Sequence, residues 1–153
     1  MYEISKKFRF EASHRLIDTP KCERLHGHSY VVTLHLAAAV LKSGMVRDYN
    51  ELAFVKQFID AELDHKYLVS KELIRNNDIY YRAAINDPDR SGDVYILDLE
   101  RSTAESLAQL LFNAFQLEYP ELVAVTVCET ESTTATYRPE RKSNPNDNFG
   151  SAH

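Results

Sequence analysis

Glu3-Ile4-Ser5-Lys6-Lys7-Phe8-Arg9-Phe10-Glu11-Ala12-Ser13-His14 decides the fold. Its even positions are apolar at Ile4, Phe8, Phe10 and Ala12, with Lys6 the exception, and the series closes on His14. Its odd positions are all polar. A period of two predicts a half-buried strand, because successive side chains of an extended chain point to opposite faces. The pattern restarts at His26, where His26, His28, Tyr30, Val32, Leu34 and Leu36 share one parity. Between the runs, Thr19-Pro20-Lys21-Cys22-Glu23-Arg24 is polar, contains proline and reads as a loop. Neighbouring strands of this kind pair as an antiparallel hairpin, which sets the end of the first beside the start of the second.

Beyond the hairpin, Asn50 is placed to cap a helix in which Leu52, Val55, Ile59 and Leu63 recur at helical spacing. Ser102-Thr103-Ala104-Glu105 fits a capping box for a second helix, with Leu107, Leu110, Leu111, Ala114 and Phe115 on its apolar face and Pro120 beyond its end. Val123, Val125 and Val127 then alternate up to Glu129, and a further short strand is expected around Thr134 to Arg138. Residues 69–101 carry a turn-rich Asn86–Gly92 segment between Ile79–Ile85 and Val94–Leu99, read as an inserted hairpin or lid. From Pro139 the tail is polar and expected to fray. Strands, helices, then strands again predict an α+β domain over 1–138, with helices on one face of an antiparallel sheet.

Composition narrows the function. A chain of 153 residues with 44% hydrophobic content builds one cored domain. A net charge of −5 provides no basic surface for nucleic acid. No apolar run approaches the ~20 residues of a membrane span, and the opening MYEISKKFRF lacks the apolar core of a secretory signal. Two cysteines, Cys22 and Cys128, do not make a disulfide scaffold, so a reducing cytosol is expected. Neither a P-loop nor a GxGxxG motif is present among so few glycines.

The chemistry concentrates on three histidines. His26 and His28 share a strand face, and His14 ends the matching face of the preceding strand, so hairpin pairing gathers three imidazoles. Three histidines with an open fourth position describe a catalytic zinc site, whereas structural sites fill all four positions. Gly27 lets another backbone or a substrate approach closely. Cys22 is either an activated thiol or a fourth, structural ligand, and periodicity does not separate these. Asp64-His65 reads as an orienting acid–base pair or as a polar helix end. Glu129 continues an apolar strand face and needs a partner. The N–H edge of a planar heterocycle such as a pterin or guanine suits it; so does a salt bridge. His35, of opposite parity, reads as a solvent-side residue.

Six segments then appear in order: Phe10-Glu11-Ala12-Ser13-His14-Arg15-Leu16, Cys22–Tyr30, Met45-Val46-Arg47-Asp48-Tyr49, Leu63-Asp64-His65-Lys66-Tyr67-Leu68, Ser102-Thr103-Ala104-Glu105 and Val127-Cys128-Glu129-Thr130. Together they resemble the 6-pyruvoyltetrahydropterin synthase family over about residues 3–68 and 102–138. The Cys-x3-His-Gly-His spacing is similar to its bacterial branch, the 6-carboxy-5,6,7,8-tetrahydropterin synthases of queuosine biosynthesis.

The resemblance implies one Zn²⁺ per subunit on His14, His26 and His28. It implies Cys22 as catalytic thiol, Asp64 and His65 as its proton-managing dyad, and Glu129 as pterin anchor. It further implies a lyase reaction that converts 7,8-dihydroneopterin triphosphate to 6-carboxytetrahydropterin, releasing triphosphate and acetaldehyde. The expected fold is the T-fold, a four-stranded antiparallel sheet with two helices on one face, closed into a barrel by homo-oligomerisation as a trimer or hexamer. Active sites then lie at subunit interfaces, so Glu129 need not face the zinc of its own chain. The 33 residues from 69 to 101 depart from the short connection common in bacterial members. Pyruvoyltetrahydropterin formation, another pterin side-chain cleavage, and a non-catalytic pterin- or zinc-binding paralog are the alternatives.

Overall fold

A computed structural model describes residues 1–140. Most of the expected flexible tail, residues 141–153, lies outside the described residues. Strand β1 (Tyr2–His14) and strand β2 (His26–Ala38) pair antiparallel, with Ala12 opposite His28 and His14 opposite His26. Phe8, Phe10 and Ala12 of β1 are buried, as are Tyr30, Val32, Leu34 and Leu36 of β2. Lys6 explains its own exception: it is half-buried and its ammonium donates to the Tyr49 carbonyl at 3.0 Å, so the stem packs while the charge finds an acceptor.

The first helical segment is composite. A 3-10 turn (Tyr49–Leu52) leads into α1 (Ala53–Phe58), and a π turn (Ile59–Leu63) ends it. Its cap is Asp48 rather than Asn50, since the Asp48 carboxylate accepts the Asn50 N–H at 2.8 Å. Strand β3 (Lys66–Val69) lies parallel to β1, and α2 (Lys71–Arg75) and α3 (Ile79–Ile85) follow. Strand β4 (Val94–Ile96) pairs parallel with β3. The inserted segment is therefore not a hairpin. Asp78 caps α3 by accepting the Tyr81 N–H at 2.7 Å, which turns the Ile79–Ile85 stretch helical.

Helix α4 (Ala104–Phe115) is capped by Thr103, whose hydroxyl accepts the Ser106 N–H, one position later than the expected capping box. It buries Leu107, Ala108, Leu111, Phe112 and Phe115, while Ala114 faces solvent. Strands β5 (Leu122–Thr130) and β6 (Thr133–Tyr137) complete the sheet.

The α+β expectation holds, and the four antiparallel strands β1, β2, β5 and β6 are contiguous. The full order is β4-β3-β1-β2-β5-β6, so the sheet has six strands and is mixed. Four- and three-residue strands carry too little alternation to be read locally, and parallel pairing to a distant strand has no turn signature. One core joins the even faces of β1 and β2 to β5, to α4 and to Leu52, Val55, Ile59 and Leu63. Each fully buried large apolar side chain contributes about 1.5–3 kcal/mol. No helix among the described residues is long and apolar enough to cross a membrane.

Candidate metal centre and active site

The hairpin register delivers the three imidazoles. One ligand-capable atom from each of His14, His26 and His28 lies within 4.8 Å of the others, and the Cys22 sulfur is not part of that cluster. His14 is 1% exposed. Its Nδ1 donates to the Ser102 carbonyl at 2.9 Å, and His26 Nδ1 donates to the Arg24 carbonyl at 2.7 Å. A ring whose Nδ1–H is so engaged presents a lone pair at Nε2. His14 Nε2 and His28 Nε2 stand 3.1 Å apart. Burial pushes His14 down to about 4, with the neighbouring rings adding to the effect and the Ser102 carbonyl opposing it. Burial, then His26, lowers His28 as well. Converging imidazoles, two of them held from behind by backbone carbonyls, fit a three-histidine divalent metal centre with an open position.

Gly27 sits where β1 and β2 are closest to clashing. A Cβ there would meet the Ala12 carbonyl oxygen at 3.1 Å, so the residue permits the close strand approach that brings the rings together.

Asp64 and His65 are placed by the π turn. The Asp64 N–H donates to the Ile59 carbonyl, five residues back, at 2.9 Å, and His65 then takes left-handed backbone at φ 58°. That turn sets His65 N–H on the Glu11 carbonyl at 2.6 Å and lets the Asp64 carboxylate accept the Glu11 N–H at 2.8 Å. Asp64 Oδ2 lies 2.9 Å from His65 Nδ1. The Glu11 N–H, together with His65, holds the Asp64 carboxyl below its ordinary range against a smaller desolvation effect. An imidazole held through Nδ1 by an ionised carboxylate leaves Nε2 to exchange protons. His65 and His28 line one open cleft of about 630 Å³, along with Glu11, Ser13, Ser29 and Lys66.

Glu129, one residue before the end of β5, lies beside the histidine cluster of its own chain, with Oε1 3.9 Å from His14 Nε2. Burial, then the charge of Glu105, raises its carboxyl pKa, and His26 partly counters them. Glu129 and Glu105 line a second cavity of about 210 Å³ with Thr103 and Thr134. Cys22 is half-buried in the β1–β2 loop and lines neither cavity. His35 is half-buried and bonds Thr126 Oγ1 at 2.9 Å.

Sequence reasoning missed two contributors. Ser102 acts through its carbonyl, which leaves no trace in residue type. Glu105 was read as part of a helix cap, yet its carboxylate shares the Glu129 cavity.

The family description "6-pyruvoyl tetrahydropterin synthase" matches residues 3–140. A Synechocystis protein named 6-carboxy-5,6,7,8-tetrahydropterin synthase is 33% identical over 151 residues, covering 94% of this chain and 98% of that one. The fold is similar to that of an uncharacterised Wolinella succinogenes protein, with TM-score 0.76, 24% identity and coverage of 91% and 98%. It is also similar to a Plasmodium vivax 6-pyruvoyltetrahydropterin synthase variant, with TM-score 0.67, 20% identity and coverage of 92% and 98%.

Proposed function

The chain belongs to the 6-pyruvoyl tetrahydropterin synthase family, and from that membership we propose a zinc-dependent lyase acting on 7,8-dihydroneopterin triphosphate. Its products are 6-carboxy-5,6,7,8-tetrahydropterin, triphosphate and acetaldehyde, the chemistry of the queuosine branch. The relative's name supports this choice over the sister activities. The single observation that carries the reading is the shared cleft of His28 and His65, which puts a metal-ligand edge and an acid–base dyad on one cavity.

His14, His26 and His28 hold the ion. When bound, Zn²⁺ supplies Lewis acidity toward the hydroxyl oxygens of the substrate side chain. Asp64 keeps His65 in the tautomer that can take and return a proton at Nε2. Cys22, on the β1–β2 loop, is the second proton carrier. Glu129 accepts N–H donors of the pterin ring, and such donors favour its charged form against the burial that raises its pKa.

Among the described residues β4 and β6 are the sheet's edges, which suits a homo-oligomeric barrel, because exposed edge strands seek partners. Assembly as a trimer or hexamer would pair those edges.

Incubation of the zinc-loaded protein with 7,8-dihydroneopterin triphosphate, followed by mass spectrometry, tests the proposal. Carboxytetrahydropterin with acetaldehyde is expected. Pyruvoyltetrahydropterin without acetaldehyde would transfer the assignment to the sister activity, and pterin binding without turnover to a non-catalytic paralog.

A further inference from the structure

The loop between β1 and β2 carries Cys22 and has an unusual backbone. Asp18 and Lys21 both take left-handed conformations, φ 56° and 65°. Lysine gains nothing locally from such a conformation, so the surroundings must hold it. Within the loop, Leu16 N–H donates to the Cys22 carbonyl at 2.8 Å and Glu23 N–H to the Thr19 carbonyl at 2.8 Å.

Further restraints come from the 69–101 insert. Arg101 Nη2 donates to the Ile17 carbonyl at 2.6 Å and to Thr19 Oγ1 at 2.9 Å. Its Nε is anchored on the buried Glu72 carboxylate of α2 at 3.0 Å. From the other side, Arg15 Nη1 donates to Asp78 at 3.1 Å, and its guanidinium lies over the Tyr80 ring at 5.9 Å. The Asp78 side chain is fully buried and also accepts the Tyr67 hydroxyl at 3.1 Å. Ile17 packs against Tyr67, Val69 and Leu73.

Arg101 immediately precedes Ser102, whose carbonyl holds His14. Adjacent residues therefore grip the thiol loop and a metal ligand, and consecutive Cα atoms are fixed about 3.8 Å apart. The spacing between loop and metal centre is referenced to one short stretch of backbone.

We propose that the insert is a brace for the thiol loop, with Arg101 as the positioning residue that fixes Cys22 relative to the three-imidazole centre. The functional part of this rests on the reading of Cys22 as the reactive thiol. Arg101 suits the task because one planar fork serves a buried carboxylate and two loop acceptors at once, which a lysine ammonium cannot match. Displacing a catalytic group by about 1 Å can cost about 100-fold in rate without altering what binds.

The test compares full-length, zinc-loaded wild type with Arg101→Gln and Arg101→Lys. For Arg101→Gln the zinc content should stay at the wild-type level and KM within about twofold, while kcat falls about 10–100-fold. Amide hydrogen exchange across 16–24 should accelerate at least about tenfold, with β2 unchanged. Iodoacetamide labelling of Cys22, mapped by mass spectrometry, should change severalfold while that of Cys128 does not. Arg101→Lys should fall between the two. If Arg101→Gln fails to fold, Thr19→Val removes one loop acceptor and should still raise exchange across 16–24. Wild-type exchange in this loop overturns the brace, whether or not kcat falls. The thiol reading is judged separately by Cys22→Ala: full turnover there rejects it, while loop exchange alone continues to decide the brace.

Discussion

His14 Nδ1 donates to the Ser102 carbonyl at 2.9 Å, joining the last residue of β1 to the residue before the α4 cap, 88 positions further along the chain. The bond fixes the ring's tautomer and aims its Nε2 lone pair at His28. A ligand so held is pre-oriented, and its removal should be felt in metal affinity before it is felt in fold.

Replacing His14 or His28 by alanine should weaken zinc binding by at least about 100-fold, since even outer-shell changes cost about 10–100-fold. Elemental analysis after dialysis against a weak chelator checks this. Wild-type zinc in both variants would place the metal elsewhere.

Gly27→Ala should loosen the centre without touching a ligand. The added methyl must displace the Ala12 carbonyl, so β1 and β2 part by a few tenths of an ångström. Overpacking of this kind costs about 1–3 kcal/mol. A lower urea midpoint together with weaker zinc binding is expected; an unchanged zinc affinity would show that strand approach does not set the ligand geometry.

Asp64→Asn keeps an oxygen for the Glu11 N–H but cannot hold His65 in its productive tautomer. The expected outcome is a kcat lower by about 100-fold or more, within the range for general acid–base groups, and an unaltered zinc content. Steady-state kinetics with parallel metal analysis decides it.

Cys22→Ala should abolish turnover and leave zinc near the wild-type level, because the donor cluster contains only imidazoles. Loss of zinc in this variant would recast Cys22 as a ligand.

The zinc-free protein should lose stability as pH falls from about 6.5 toward 4. His14 is neutral in the fold down to about 4, whereas the unfolded chain takes up that proton near 6.5. Below 6.5 the unfolded state therefore binds more protons, and the effect saturates below about 4. The shift corresponds to roughly 3 kcal/mol, and His28 acts in the same direction. Urea unfolding of chelator-treated protein at pH 7, 5.5 and 4.5 measures the slope, and His14→Gln should flatten it.

Much of the fold was legible because local geometry writes it. The parities of β1 and β2 follow from an extended backbone, and they correctly put Phe8, Phe10, Tyr30 and Val32 on the core face with His14, His26 and His28. Helix caps were legible only to within a residue or two: Asp48 replaces Asn50, and Thr103 replaces Ser102. Several Ser, Thr, Asp and Asn residues compete at each helix start, and packing selects among them. Residues 66–69 and 94–96 were not legible as strands, being too short for periodicity and paired in parallel with distant partners.

Alternation along the chain, by itself, determined which side chains share a face, and so which histidines can meet. Only the tertiary structure decided what stands behind and beside them. The Ser102 carbonyl behind His14, the left-handed turn that docks His65 on Glu11, the place of Glu129 beside its own chain's centre and the grip of Arg101 on Ile17 all join segments about 50–115 residues apart. Such contacts depend on how separate elements pack, which no local repeat records.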